Sequence, residues 1–428
     1  MNPQAQELNN LLLANNKNVF EMLSQRGKSI FFPKKGILGQ SAEAKSTKIN
    51  ATIGAAIEDD RSPMRLKSIS DRINLDPSFA FPYAPSFGRP DIRKRWQSLI
   101  YEKNPALNNT PVSLPVVTNA LTHGISMAGY MFLDPGQEVL VPNLFWGNYN
   151  LTFINAYDAR ITTYNLFKND GLDVDAMSEK LMADGDKKVL LLNFPNNPTG
   201  YSPTVEEMKQ LIAAISKAAN AGKKVVVICD DAYFGLVFED NIETQSPFAW
   251  LSTLHENVLA VKVDGPTKED YVWGLRVGFI TYGIKGGNAE LYEALENKTA
   301  GAVRGNISNA SNLSQSLLLH AFDSPTYKQE KQEKFDIMQT RYSAVKEVLK
   351  DGKYQKYFTA LPYNSGYFMC IKLRDGLNAE AVRQLLISKY SIGVISLGDL
   401  LRIAFAAVAA TDVKTLFDGI YEACKELA

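Results

Sequence analysis

The sequence predicts an α/β protein with a mostly parallel central sheet in a large domain and a smaller α+β domain built from both chain ends. Two observations carry this. Seven short apolar runs, PVVTNA, EVLVP, ARITTY, KVLLLNF, KVVVICDD, VLAVKV and VGFITY, follow one another with helical patterns between several of them. Near-continuous apolar runs are what strands covered on both faces require, so the sheet is expected to be largely parallel with helices on either side. The second observation is length: 428 residues exceed one ordinary core. The division expected is 61–330 for the large domain, and 1–60 with 331–428 for the small one.

Taken in order, Leu8, Leu11, Leu12, Val19, Phe20, Met22 and Leu23 recur at helical spacing and predict an amphipathic helix over 4–26. The following stretch turns irregular, and INATIGAA reads as an extended passage ending at Gly54. After the seven runs, the pattern from Gln315 to Leu349 predicts one long helix passing out of the large domain. YFMCIKL, a helix near Ala379 to Ser388, a short strand near Gly393 and LRIAFA complete a small α+β unit.

Composition narrows the function classes. Lys+Arg and Asp+Glu both total 46, so no long-range field draws the chain to nucleic acid or an anionic membrane, and a small-molecule partner is expected. Cys229, Cys370 and Cys424 are far apart and read as reduced core residues. His123, His255 and His320 are scattered, which leaves no metal cluster to expect. The N-terminus has no leader pattern and no stretch approaches the ~20 apolar residues of a membrane span, so cytoplasmic residence is expected.

The chemistry-bearing segment is VKVDGPTKEDYVWGLRVGF, where Lys268 and Arg276 flank a turn into a strand. A cofactor with an aldehyde and a phosphate needs both: a desolvated amine forms an imine, and a guanidinium takes phosphate by paired hydrogen bonds. In ICDDAYFG, Asp230 and Tyr233 follow an apolar strand, where ligands of open α/β sheets bind. A carboxylate there can keep a pyridine nitrogen protonated, and the tyrosine can bond a phenolic oxygen. Asp231 reads instead as a helix N-cap with solvent beside it. Asn197, in NFPNNPTG, can donate its amide to the same oxygen, although Asn-Asn-Pro is also ordinary turn chemistry. Ala120, Leu121 and Thr122 open a helix after a strand, so their free N–H groups form a phosphate site. Trp146 can stack on a pyridine ring or serve as a core tryptophan.

In this order, from Tyr83 in YAPSFG through Ala120 to Thr122, Trp146, NNPTG, DDAY, Lys268 and Arg276 to Arg402 in LLRIAF, the chain resembles the class I/II aminotransferases, pyridoxal-phosphate enzymes of fold type I related to aspartate aminotransferase. The resemblance covers the chain from about residue 50 to near its C-terminus. It implies a homodimer that exchanges an amino group between an L-amino acid and a 2-oxo acid by a ping-pong route, with pyridoxal 5'-phosphate as cofactor. Lys268 would be the Schiff-base lysine and proton shuttle. Asp230 would pair the pyridine nitrogen, Asn197 and Tyr233 the phenolic oxygen, and Trp146 the ring face. Arg276 and the amides at Ala120, Leu121 and Thr122 would bind phosphate. Arg402 and the backbone of Gly54 would hold the substrate carboxylate, and Tyr83 would reach the neighbouring subunit's phosphate. The family often carries serine three residues before the lysine; here that residue is Gly265, and Thr267 is expected to share the contact.

Substrate choice stays open. Arg304 in AVRGNISNAS has a spacing similar to the arginine that takes the distal carboxylate of acidic substrates in aspartate aminotransferases, or it is a surface or phosphate-supporting arginine. Phe87, Phe145 and Phe368 would suit aromatic substrates instead. Two rivals remain: β-elimination or decarboxylation on the same cofactor, and a cofactor-binding regulatory protein. The regulatory reading lacks a basic helix-turn-helix pattern ahead of Asn50.

Overall fold

Every one of the seven apolar runs becomes a strand of a single sheet. The computed structural model describes residues 1–33 and 36–428. Across the sheet the order is Val116–Thr118, Gly278–Gly283, Val258–Asp264, Lys224–Asp230, Lys187–Asn193, Glu138–Pro142 and Arg160–Tyr164. The strands from 258–264 to 160–164 run parallel, while 278–283 is antiparallel to both neighbours. The sheet is therefore mixed but mostly parallel, as the runs imply.

Alternation along each strand divides the interior into two cores. Val226 and Ile228 face the same side as Val189, Leu191, Val261 and Val263, under the helices Ala120–Phe132 and Ala289–Ile307. Val225, Val227 and Cys229 face the other side with Leu190, Leu192 and Ala260, under Pro90–Lys103, Val205–Asn220 and Phe248–Leu254. Helix 205–220 starts where it does because Thr204 and Glu207 form a reciprocal capping box. All three cysteines are buried thiols.

A second, antiparallel sheet joins Phe358–Ala360, Met369–Leu373, Leu400–Ile403 and Ile395–Leu397 in that order. The extended passage before Gly54 contributes Ile49–Asn50, which pairs in parallel with Ile392–Gly393. Among the described residues, no helix is long and apolar enough to cross a membrane.

Two helices expected from periodicity are broken. The segment 4–26 is not one helix but Pro3–Asn15, Lys17–Met22 and Gln25–Ser29. The Asn16 and Ser24 side chains accept the N–H groups of Val19 and Gly27, so each restarts the helix as an N-cap. Gln315 to Leu349 likewise divides into Asn312–Phe322 and Tyr327–Val348. Pro325 lies in the gap; it lacks an N–H and disfavours helical backbone at Ser324.

Candidate active site

The parallel strands deliver their C-terminal ends to one edge of the sheet, and Asp230, Asn197 and Lys268 gather there. Asp230 is the last residue of its strand and Asn193 the last of the neighbouring one. Asn193 fixes both ends: its Nδ2 donates to the Asp230 carbonyl at 2.8 Å, and its Oδ1 accepts the Asn197 N–H at 2.8 Å. Lys268 sits in the short helix Pro266–Glu269 after strand 258–264, and Arg276 precedes the antiparallel strand 278–283.

Close packing shapes the loop that carries these two cations. Ala120 and Arg276 both adopt left-handed backbone, with φ of 61° and 54°, conformations that side chains other than glycine rarely take. Gly278 lies against Ala120 and Leu121; a Cβ there would stand 2.6 Å from the Ala120 carbonyl carbon, so only glycine allows the approach. Gly265 is similarly confined, since an added Cβ would meet the Val277 carbonyl oxygen at 2.9 Å and Leu121 Cδ1 at 3.2 Å. A serine has no room at 265. Thr267, two residues on, is buried with its hydroxyl oxygen unpartnered.

The Lys268 amine donates to the Gly54 carbonyl at 3.1 Å and lies 5.3 Å from the centre of the Tyr233 ring. Burial, reinforced by the Arg276 charge and opposed by Asp230, lowers its pKa to about 8. Asp230 is pushed the other way, up to about 6, chiefly by burial. One of its oxygens accepts the Tyr149 hydroxyl at 2.5 Å, and the other is buried without a partner.

Arg402 is 3% exposed, yet it pairs with no carboxylate among the described residues. Its guanidinium donates to Asn197 Oδ1 at 3.3 Å and the Thr52 carbonyl at 3.1 Å, and it rests 4.3 Å from the Phe368 ring centre. Its Nε has no partner. The contact with Asn197 Oδ1 leaves the Asn197 amide nitrogen free to donate elsewhere. Trp146 packs edge-on against Tyr149 at 5.5 Å, and Phe145 stacks on the same ring at 6.2 Å.

Gly54, Asn197, Asp230, Tyr233, Lys268 and Arg402 are thus linked by contacts, with Ala120 to Thr122, Thr267 and Arg276 on the adjoining loop and helix start. Tyr83 and Arg304 stand apart, both exposed, with Tyr83 92% so. Asp231 needs correction. It is no solvated cap: it is 2% exposed and receives the buried Lys262 ammonium and the Ser246 hydroxyl. Sequence reasoning also missed Tyr149, three residues after Trp146 on the same turn.

Comparison with known proteins gives the family and the fold. The family model for aminotransferase class I and II matches residues 50–420, and the chain belongs to that family. Tyrosine aminotransferase of Bos taurus is 25% identical over 198 residues, which are 46% of this chain and 41% of that protein. The probable N-acetyl-LL-diaminopimelate aminotransferase of Bacillus subtilis is 27% identical over 205 residues, 46% of this chain and 47% of that protein. These matches span under half the length of either relative. An aminotransferase from Anaerococcus prevotii shares the fold with a TM-score of 0.83 at 24% identity, covering 94% of this chain and 99% of its own. Cytoplasmic aspartate aminotransferase of Saccharomyces cerevisiae does so at 0.76 and 19% identity, covering 96% and 100%. The fold is therefore the aspartate aminotransferase type, fold type I.

Proposed function

We propose that this protein is a pyridoxal 5'-phosphate-dependent aminotransferase, exchanging an amino group between an L-amino acid and a 2-oxo acid. One observation carries the reading: several buried polar atoms at this site, Asp230 Oδ1, Arg402 Nε and Thr267 Oγ1, are unpartnered around an amine whose pKa is about 8. Unpaired buried polar groups are costly, so their concentration calls for a ligand. The donor set fits this cofactor. Asp230 Oδ1 would take the pyridine nitrogen, Asn197 and Tyr233 the phenolic oxygen, and Trp146 a ring face. Thr267, Arg276 and the N–H groups at Ala120, Leu121 and Thr122 would take the phosphate.

When bound, the cofactor supplies an electron sink for the substrate Cα carbanion. Lys268 would hold the cofactor through its amine and would act on the proton at the substrate Cα; a pKa near 8 suits an amine for base work near neutral pH. Arg402 holds the substrate carboxylate, with the Gly54 backbone beside it. Residues 61–330 are read as the large domain, with 1–60 and 331–428 as the small one; the pairing of Ile49–Asn50 with Ile392–Gly393 supports joining the two chain ends.

A homodimer completes the reading. Phe81 and Tyr83, 84% and 92% exposed, suit a surface that a second copy covers. Tyr83 would then reach the partner's phosphate, and Arg304 the side-chain carboxylate of an acidic substrate. The test is a panel of donors, including aspartate, glutamate, tyrosine, diaminopimelate and serine, each mixed with the cofactor-loaded protein without an acceptor and, glutamate excepted, then with 2-oxoglutarate. Formation of the oxo acid with pyridoxamine phosphate supports the reading; pyruvate with ammonia from serine overturns it in favour of elimination. Arg304→Ala should slow acidic donors selectively, and equal effects on acidic and aromatic donors remove Arg304 from the substrate site.

A further inference from the structure

The chemistry proposed for Lys268 does not use the buried ionic cluster of Lys262, Asp231 and Asp264. Lys262, Asp231 and Asp264 lie on the face of the sheet opposite Asp230, all three almost completely buried. Strands 224–230 and 258–264 pair in parallel, with Cys229 opposite Lys262 and Asp230 opposite Val263. The Lys262 ammonium donates to Asp231 Oδ2 and lies 3.4 Å from Asp264 Oδ2. It therefore stands between carboxylates at the ends of two adjacent strands. Asp231 directly follows Asp230, and only Gly265, Pro266 and Thr267 separate Asp264 from Lys268.

The cluster is anchored on all sides. Ser246 Oγ donates to Asp231 at 2.7 Å, Trp96 Nε1 donates to Asp264 at 2.9 Å, and the Phe234 ring centre lies 4.4 Å from the Lys262 ammonium. Three buried charges are a poor source of stability, because apolar side chains of like volume avoid the desolvation they suffer. Val258 and Ala260, on the same face of this strand, are apolar. What the charges add is directed geometry: an ammonium held between two carboxylates fixes the distance between the chain ends that bear them.

We propose that Lys262 is a positioning residue that, through Asp231 and Asp264, sets the separation of Asp230 from Lys268. The proposal rests on Lys268 being the cofactor-binding amine. Misplacing a reacting group by about 1 Å costs roughly 100-fold in rate, whereas the hold of Arg402 on the substrate carboxylate, on another sheet, is untouched.

The test compares the full-length protein with the triple variant Asp231→Asn, Lys262→Met, Asp264→Asn, which removes every charge of the cluster together and leaves none unpaired. Enzyme is counted by its bound pyridoxal phosphate. The expected result is a folded protein whose kcat falls about 100-fold while KM for the amino donor stays within about threefold, with weaker pyridoxal phosphate binding to the apo-protein. Should that variant not fold, Asp264→Asn carries the test, since it keeps the Lys262–Asp231 pair and an acceptor for Trp96; a fall of about tenfold in kcat is expected. Wild-type kcat and cofactor affinity in the triple variant, or in Asp264→Asn where only that one folds, overturn the proposal. Lys268→Ala, run alongside, keeps the two readings apart: a covalent cofactor band surviving there refutes the role of Lys268 itself.

Discussion

Lys262 and Lys268 are six residues apart on one stretch of chain and are treated in opposite ways. Burial disfavours the charge on both. At Lys262 two carboxylates outweigh that cost and hold the ammonium above its ordinary range. At Lys268 the nearest hydrogen-bond partner is a carbonyl, and Arg276 adds to the effect of burial, so the pKa drops to about 8. The difference teaches that partners, rather than depth, decide what a buried lysine can do. A lysine locked as a cation serves as a strut, whereas one able to release its proton near neutral pH serves as a nucleophile and base.

Deleting each amine is the sharpest way to break this comparison. Lys268→Ala should lose kcat by roughly 10⁴-fold, at the upper end of what a positioned acid–base group supplies. It should also lose the visible band of covalently held cofactor, and a variant with either intact would sink the assignment. For Lys262→Met the expectation is instead a loss of about 3–5 kcal/mol of stability, because two buried carboxylates lose their counter-ion. Urea unfolding of the apo-protein measures it, and a cost below 1 kcal/mol would contradict the strut.

Tyr149→Phe comes next in size. The Tyr149 hydroxyl lowers the Asp230 pKa against the effect of burial, so its loss should raise that pKa beyond about 6. Cofactor affinity should weaken by about 1.5–3 kcal/mol, the range for a hydrogen bond to a charged group. Unchanged affinity would show that Tyr149 is packing alone.

Of similar size is a pH dependence of stability. The Lys268 pKa is about 8 in the folded apo-protein against an ordinary 10.5. Between those values the unfolded chain holds a proton the folded one lacks, so the contribution of this amine to stability rises with pH there and is flat below about 8. Relative to Lys268→Met, the wild-type apo-protein should therefore gain stability from pH 8 to pH 10 in paired melting curves. A gap that stays constant would mean the amine is not desolvated.

Much of this was legible in the chain because parallel strands buried on both faces are written as near-continuous apolar runs, as in 138–142, 187–193, 224–230 and 258–264. Asp230, Asn197 and Lys268 announce themselves by standing just past such runs, where side chains leave the sheet at one edge. Tyr149 does not. It meets Asp230 from a segment 81 residues away, and nothing local to either residue specifies the contact. Asp231 was misread for the same reason, since its partner lies on the next strand. A signal did exist in the lysine of VLAVKV: a charge inside a doubly covered strand must find a buried counter-ion. The helix breaks at Asn16, Ser24 and Pro325 come from local bonds or a missing N–H, which periodicity ignores.

The central claim is that Lys268, and not the nearby Lys262, is the reactive amine. Reducing the pyridoxal phosphate-loaded protein with borohydride and mapping the labelled peptide tests it directly. The account predicts one phosphopyridoxyl group per chain, on Lys268. A label on Lys262 or on any other lysine, or a loaded protein that takes up no label, would contradict it.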